Sequence, residues 1–202
     1  MDLKDTYNKI AKDWHGDRPA DIWWTEGAEK FVSLMKPGQL VLDVGCAGGL
    51  KSRYLINNGL KVVGIDIAEK FIEIAKKEVP EGKFSVARME DIPKLESVFD
   101  AIFMQAVLLH IPHNQVKKNL EGAMTKLNKG GYFYVAVKEQ KAGQPPEETK
   151  KENDYGYEYE RFFSYFTLPQ IKKLLTDIGL NVVYENVTLS GKTNWIQVIG
   201  KK

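Results

Sequence analysis

The sequence predicts an α/β fold, a mostly parallel sheet with helices on both faces and an antiparallel C-terminal hairpin. Three observations predict it. Short apolar runs rich in β-branched and aromatic residues alternate with stretches of helical spacing. The first apolar run ends in a glycine-rich turn that opens a helix. The last two extended runs are separated by a short turn at Ser190 and Gly191. Parallel neighbours need long crossovers, which the helices supply, whereas a short turn forces its two strands antiparallel.

The elements follow in order. Leu3 to Trp14 and Trp24 to Met35 have helical spacing and flank the turn-prone HGDRPAD, so residues 1–36 are expected to form a helical cap. That cap precedes the sheet and can cover the edge at which open α/β folds bind ligands. Leu40 to Val44, Leu60 to Ile65, Lys83 to Val86, Phe99 to Met104 and Tyr132 to Val137 read as buried strands. Helices are expected over Leu50 to Asn57, Lys70 to Glu78 and Gln115 to Asn128, each closing near Asn-Gly, Pro or Gly-Gly. Residues 139–159 are polar, contain Pro145 and Pro146 and carry DYGYEYE; they read as an inserted loop or lid that extends to residue 164. Leu168 to Ile178 follows as a helix, with Thr167 as N-cap and Gly179 at the C-cap. Asn181 to Thr188 and Trp195 to Gly200 make the hairpin.

Composition narrows the classes. A chain of 202 residues suits one domain over 1–202. Its apolar runs are broken by charges before they reach the length a membrane span needs, so no membrane association is expected. MDLKDTYNKIAKDWHG has neither the apolar core nor the cleavage site of a signal peptide, and a cytoplasmic location is expected. With Cys46 alone there is no intrachain disulfide, and three histidines without close spacing predict no metal site. A net charge of +2 gives no bulk reason to expect nucleic acid as a partner. Nothing in the sequence fixes an oligomeric state.

The chemistry concentrates in VLDVGCAGGL, where a strand runs straight into Gly45, Gly48 and Gly49. Glycines let the chain turn tightly and bring its backbone against a ligand, and the first amides of the following helix point at an anion placed there. Such turns also arise for packing alone. The second strand, KVVGID, ends in Asp66 roughly 20 residues farther on, the spacing at which an acid meets the ribose hydroxyls of a nucleotide. The pair is more specific than either half.

The run Asp43-Val-Gly45-Cys46-Ala47-Gly48-Gly49, then Asp66, MEDIP at Met89 to Pro93, FDAIFMQAVLLHIP at Phe99 to Pro112 and NKGGYFYVAV at Asn128 to Val137 resembles the ordered signature of class I S-adenosylmethionine-dependent methyltransferases. The resemblance implies a Rossmann-like seven-stranded sheet with its last strand antiparallel, and S-adenosyl-L-methionine as cofactor. It assigns Asp43, Gly45, Cys46 and Gly49 to the turn at the methionine end and Asp66 to the ribose. It puts Ile67 on one face of the adenine, Met89 and Glu90 near the adenine edge, and Gln105 beside the methionine moiety. Two positions depart from the pattern. Ala47 stands where the family often has glycine, which excludes a left-handed backbone there. Arg88 stands where many members place an acid that accepts from the adenine amine, a bond arginine cannot accept; Glu90 or Asp91 is left to replace it, or backbone and stacking alone.

For the acceptor side, His110 and His113 follow the fourth strand and are the candidate general bases. Packing under the loop and a helix start are their alternative roles. Tyr155, Tyr157 and Tyr159 alternate along the lid; Tyr157 and Arg161 are candidate substrate contacts, as is Trp14, with Trp23 and Trp24 beside it. An edge strand with an exposed face, and core burial of the tryptophans, are the competing readings. The acceptor-side segments are modest in size, which points to a small-molecule acceptor. Methylation of RNA or protein, an inactive cofactor-binding subunit and a nicotinamide-dependent oxidoreductase are the other readings; the last should lack both the hairpin and Asp43 before Gly45.

Overall fold

A computed structural model describes residues 2–17 and 22–202. Part of the expected HGDRPAD turn lies outside the described residues. The elements are α1 (Leu3–Asp17), α2 (Thr25–Ser33), β1 (Leu40–Val44), α3 (Leu50–Asn57), β2 (Lys61–Asp66), α4 (Glu69–Glu78), β3 (Lys83–Val86), β4 (Phe99–Gln105), α5 (His113–Met124), β5 (Leu127–Lys138), β6 (Glu147–Glu152), β7 (Tyr159–Ser164), α6 (Leu168–Asp177), β8 (Asn181–Ser190) and β9 (Thr193–Lys201). Seven strands form one sheet in the order β3-β2-β1-β4-β5-β9-β8. The first five are parallel, and β9 runs antiparallel to both β5 and β8. The α/β fold with its antiparallel closing hairpin is as the sequence predicts.

Strand order explains the core. Helices cover both faces of the central strands β1, β4 and β5, so most of their residues are apolar. On one face Val44, Met104, Val135 and Val137 pack with Val116 and Leu120 of α5 and Ile171 and Leu175 of α6. On the other, Val41, Phe103 and Tyr134 meet Phe31 of α2 and Leu55 of α3. Phe31 is fully buried and sits edge-on to Phe103, with ring centroids 5.2 Å apart. The helix α6 starts where its cap requires: the Thr167 hydroxyl accepts from the Gln170 amide and the Gln170 side chain accepts from the Thr167 amide.

Two elements differ from the sequence reading. The strand β5 begins at Leu127, and α5 ends at Met124 rather than Asn128. Gly130 and Gly131 therefore lie inside a strand, at an irregularity opposite Phe99 to Ala101, instead of stopping a helix. A Cβ on Gly131 would lie 2.6 Å from the Asp100 carbonyl oxygen, so this crossing needs glycine. The segment read as an irregular loop after β5 holds an antiparallel ribbon, β6 with β7. It is fastened to α1: the Thr6 hydroxyl donates to the Glu160 carbonyl (3.0 Å), the Lys9 ammonium to the Glu158 carbonyl (2.7 Å) and the Tyr157 hydroxyl to Asp13 (2.6 Å). Among the described residues, no helix is long and apolar enough to cross a membrane.

Candidate active site

The carboxyl ends of β1, β2 and β4 open into two adjoining chambers roofed by α1. The first, about 290 Å³, is lined by Asp66, Ile67, Met89, Glu90, Gly45 and Gln105. The second, about 170 Å³, is lined by Asp43, Gly45, Cys46, Lys51, Lys138 and Arg161 among others. Tyr7, Trp14, Gly45, Ala47, Gln105, Ala106 and His110 face both.

The glycine turn is shaped by left-handed backbone. Gly45 has φ +68° and Gly49, which begins α3, has φ +87°. A Cβ on Gly45 would lie 2.5 Å from Val107, and one on Gly48 would run into the His15 ring. Ala47 also has positive φ, +46°, against the expectation that alanine excludes it. The compensation is local: the Ala47 amide donates to Asp66 Oδ2 (3.0 Å), tying the turn to the end of β2. The same conformation recurs at Ala106 (φ +56°), just after β4. Two alanines held this way at one site store backbone strain of order 1 kcal/mol each.

Asp66 is 8% exposed, and its other oxygen accepts from the Ala68 amide (2.9 Å). Each carboxylate oxygen has a second lone pair, enough for two hydroxyl donors. Burial raises its pKa to about 6, against the pull of the backbone amides. Asp43 is 2% exposed and accepts from the Ser52 hydroxyl (2.6 Å); burial lifts its pKa to about 7. Cys46 is buried against Ile72 and Phe84 at the border of the second chamber, and burial pushes its thiol pKa well up, which disfavours a thiolate there.

Gln105 is buried and lines both chambers, and its Oε1 has no hydrogen-bond partner. An orphaned buried acceptor facing a cleft matches a donor-bearing ligand such as the ammonium end of an amino acid. Where the adenine edge is expected, Met89 is buried and Glu90 faces the first chamber, whereas Asp91 is spent on the Lys94 ammonium (2.7 Å) and the Arg88 amide (3.3 Å). Of the two acids left to replace the missing acceptor, only Glu90 lines the chamber. Arg88 itself points to Asp2 (3.4 Å).

The structure separates the acceptor-side candidates. His110 stays in the cleft, but both ring nitrogens are engaged: Nδ1 with the Phe162 carbonyl (2.7 Å) and Nε2 with the Tyr7 hydroxyl (2.6 Å). The carbonyl can only accept, so Nδ1 carries the proton and Nε2 accepts from Tyr7. Enclosure by protein lowers its pKa to about 3, helped by the positive charges of Arg161 and Lys138. His113 lies outside both chambers, stacked on Phe166 with Nε2 3.0 Å from the Tyr165 carbonyl. Tyr157 also lies outside, clasping α1, because its hydroxyl is drawn to Asp13. Arg161 lines the second chamber, yet Glu152 takes it in a two-point ion pair (2.5 and 2.7 Å). Trp14 faces both chambers, edge-on to Phe71.

Sequence reasoning missed Tyr7, His15, Lys51, Lys138 and Trp195. Tyr7 and Trp14 are seven residues apart on α1 and so share a face, a signal present in the sequence. Lys138 meets Trp195 only through the β5 to β9 register, which no local pattern carries.

Residues 42–135 match a methyltransferase domain family. The chain is 34% identical over 113 residues to an uncharacterized methyltransferase of Synechocystis, covering 53% of this chain and 53% of that protein. It is 27% identical over 148 residues to a ubiquinone biosynthesis O-methyltransferase of Coxiella burnetii, covering 65% of this chain and 59% of the relative. The matched part thus spans little more than half the length of these relatives. Among solved structures, the 1,6-didemethyltoxoflavin-N1-methyltransferase of Burkholderia thailandensis superposes with a TM-score of 0.78 at 16% identity, over 99% of this chain and 87% of that one. The magnesium protoporphyrin IX methyltransferase of Synechocystis PCC 6803, with S-adenosylhomocysteine bound, gives 0.75 at 18% identity, over 99% and 98%. At these identities the superpositions show the shared fold.

Proposed function

We propose that this protein transfers a methyl group from S-adenosylmethionine to a small-molecule acceptor, a reading supported by the match of residues 42–135 to a methyltransferase domain family and by the fold. The observation that carries the reading is the pairing of Asp66, tied to the glycine turn through the Ala47 amide, with the unpartnered Oε1 of Gln105 across the same cleft. Asp66 would hold the ribose hydroxyls, Ile67 one face of the adenine, Met89 and Glu90 its edge, and Gln105 the methionine ammonium. Gly45 and Gly49 leave room for close backbone approach. The curated relatives named for small acceptors support that acceptor class.

Bound S-adenosylmethionine supplies a methyl group already activated on a sulfonium. The chain's own work is then alignment and exclusion of water. Tyr7, Trp14 and His110 stand at the junction of the chambers, where an acceptor would meet the methyl. His110 is held neutral with its lone pair on the Tyr7 hydroxyl, so its role in this proposal is to fix Tyr7 against the acceptor. Proton removal by free imidazole is not the arrangement seen here. Titration calorimetry with S-adenosylmethionine, S-adenosylhomocysteine and nicotinamide dinucleotides tests the reading. Binding of the first two alone is expected; binding of dinucleotides alone would overturn it.

A further inference from the structure

The imidazole of His15 lies on the glycine turn. A Cβ at Gly48 would collide with three atoms of that ring, so the ring sits directly against the turn's backbone. His15 is in the last turn of α1, partly buried, and lines the second chamber beside Gly48, Gly45 and Gln105. The other basic side chains of this chamber are engaged. Arg161 is paired with Glu152, the Lys51 ammonium lies 5.0 Å from the centroid of Trp24 and the Lys138 ammonium 4.2 Å from that of Phe163, and both lysines have further interactions. His15 has no hydrogen bond and no ion pair among the described residues. The turn beneath it also keeps one amide in reserve. The Gly45 and Cys46 amides donate to the Ile65 carbonyl (2.8 and 3.0 Å), that of Ala47 to Asp66 (3.0 Å) and that of Gly49 to the Cys46 carbonyl (2.9 Å), which leaves Gly48.

Resting on the methyltransferase reading, we infer that His15 is the side chain that recognises the carboxylate at the amino-acid end of the cofactor. Ammonium and carboxylate hang on one carbon, so an ammonium at Gln105 leaves the carboxylate in the space that Gln105, the glycine turn and His15 line together. An imidazole offers that group one N–H when neutral and two when protonated, and a bond to a carboxylate is charge-assisted in either case. Glycine at position 48 serves this contact as well as the turn, because any side chain there would displace the ring. The same contact would fasten the end of α1 to a loaded cleft.

The test is titration calorimetry with two ligands, S-adenosylhomocysteine and S-adenosyl-3-thiopropylamine. The second keeps the nucleoside, the sulfur and the ammonium and lacks only the carboxylate. The native protein is expected to bind S-adenosylhomocysteine about tenfold tighter or more, the scale of one charge-assisted contact. His15→Ala should weaken S-adenosylhomocysteine about tenfold and leave the thiopropylamine within about twofold. Equal affinities of the native protein for the two ligands, or an unchanged affinity for S-adenosylhomocysteine in His15→Ala, would overturn the inference. So would an equal loss of both ligands in the variant, which would mean that the ring only packs α1 on the turn. The comparison of the two ligands in the native protein stands if the variant does not fold. Failure of S-adenosylhomocysteine itself to bind the native protein would instead reject the methyltransferase reading.

Discussion

Replacing Asp43 by asparagine should stabilise the protein far more at pH 8 than at pH 5. In the folded chain burial holds the proton on Asp43 until about pH 7, while an unfolded aspartate releases it near 3.8. Between those values the folded state binds a proton that the unfolded state has lost, so stability falls as pH rises through the window. From pH 5 to pH 7 that is about two pH units at about 1.4 kcal/mol each, or roughly 3 kcal/mol. Asparagine carries no such penalty, and its Oδ1 still accepts from the Ser52 hydroxyl. Asp66, raised to about 6, acts in the same sense as Asp43. His110, lowered to about 3, acts in the opposite sense, its destabilisation fading as pH rises through the unfolded histidine range. Both are common to the two proteins and cancel in the difference. Urea unfolding of the native protein and Asp43→Asn at pH 5 and pH 8 measures it. The gain from the substitution should be about 3 kcal/mol larger at pH 8; parallel pH profiles would refute the assignment of a buried, proton-retaining Asp43.

Further outcomes follow from the same geometry. Asp66→Ala should weaken S-adenosylhomocysteine by about 1 to 3 kcal/mol in calorimetry, the cost of unpaired buried hydroxyls; unchanged affinity would mean that Asp66 serves only the Ala47 and Ala68 amides. In the native protein that affinity should rise between pH 5 and pH 7, as Asp66 ionises near 6 and both its oxygens become acceptors; a pH-independent affinity counts against the ribose assignment. Ala47→Gly should raise the unfolding free energy by about 1 kcal/mol by relieving the +46° φ, and a clear loss in urea titration would show that the turn is not strained. Phe31→Ala should cost about 3 to 5 kcal/mol by the same assay, because the side chain is fully buried between Phe103 and Tyr134.

The parts of the fold that depend on burial were legible in the sequence. Strands such as Leu40–Val44 and Phe99–Gln105 are mostly apolar because the sheet is covered on both sides, and their polar residues Asp43 and Gln105 stand at the site. Asp66 was legible because two local features, a glycine turn and a strand-end acid, fall at a fixed spacing. The ribbon from Glu147 to Ser164 was not, because EETKKE has no apolar alternation; its pairing becomes worthwhile only against β7 and α1. Ala47 was misjudged since a bond from a residue 19 positions away overrides its backbone preference. The histidines show the same limit. Their place after β4 is local information, but His110 is neutral because tertiary burial disfavours its charge, and His113 is held by the Tyr165 carbonyl 52 positions downstream.

The reversed strand has a consequence for how such a protein can diversify. In a wholly parallel sheet every residue at the ligand edge follows a strand. Here β9 enters the sheet at that edge, so Trp195 reaches the second chamber from the beginning of a strand, directly after the turn that links Ser190 to Thr193. Changes of length or sequence in that turn, or in the ribbon that carries Phe163, remodel that wall of the second chamber. The strands that carry Asp43, Asp66 and Gln105 lie elsewhere in the sheet and are left in register. Under the proposed function, selectivity for the acceptor and grip on the cofactor would be encoded in separable stretches of chain, and one could drift while the other is held fixed.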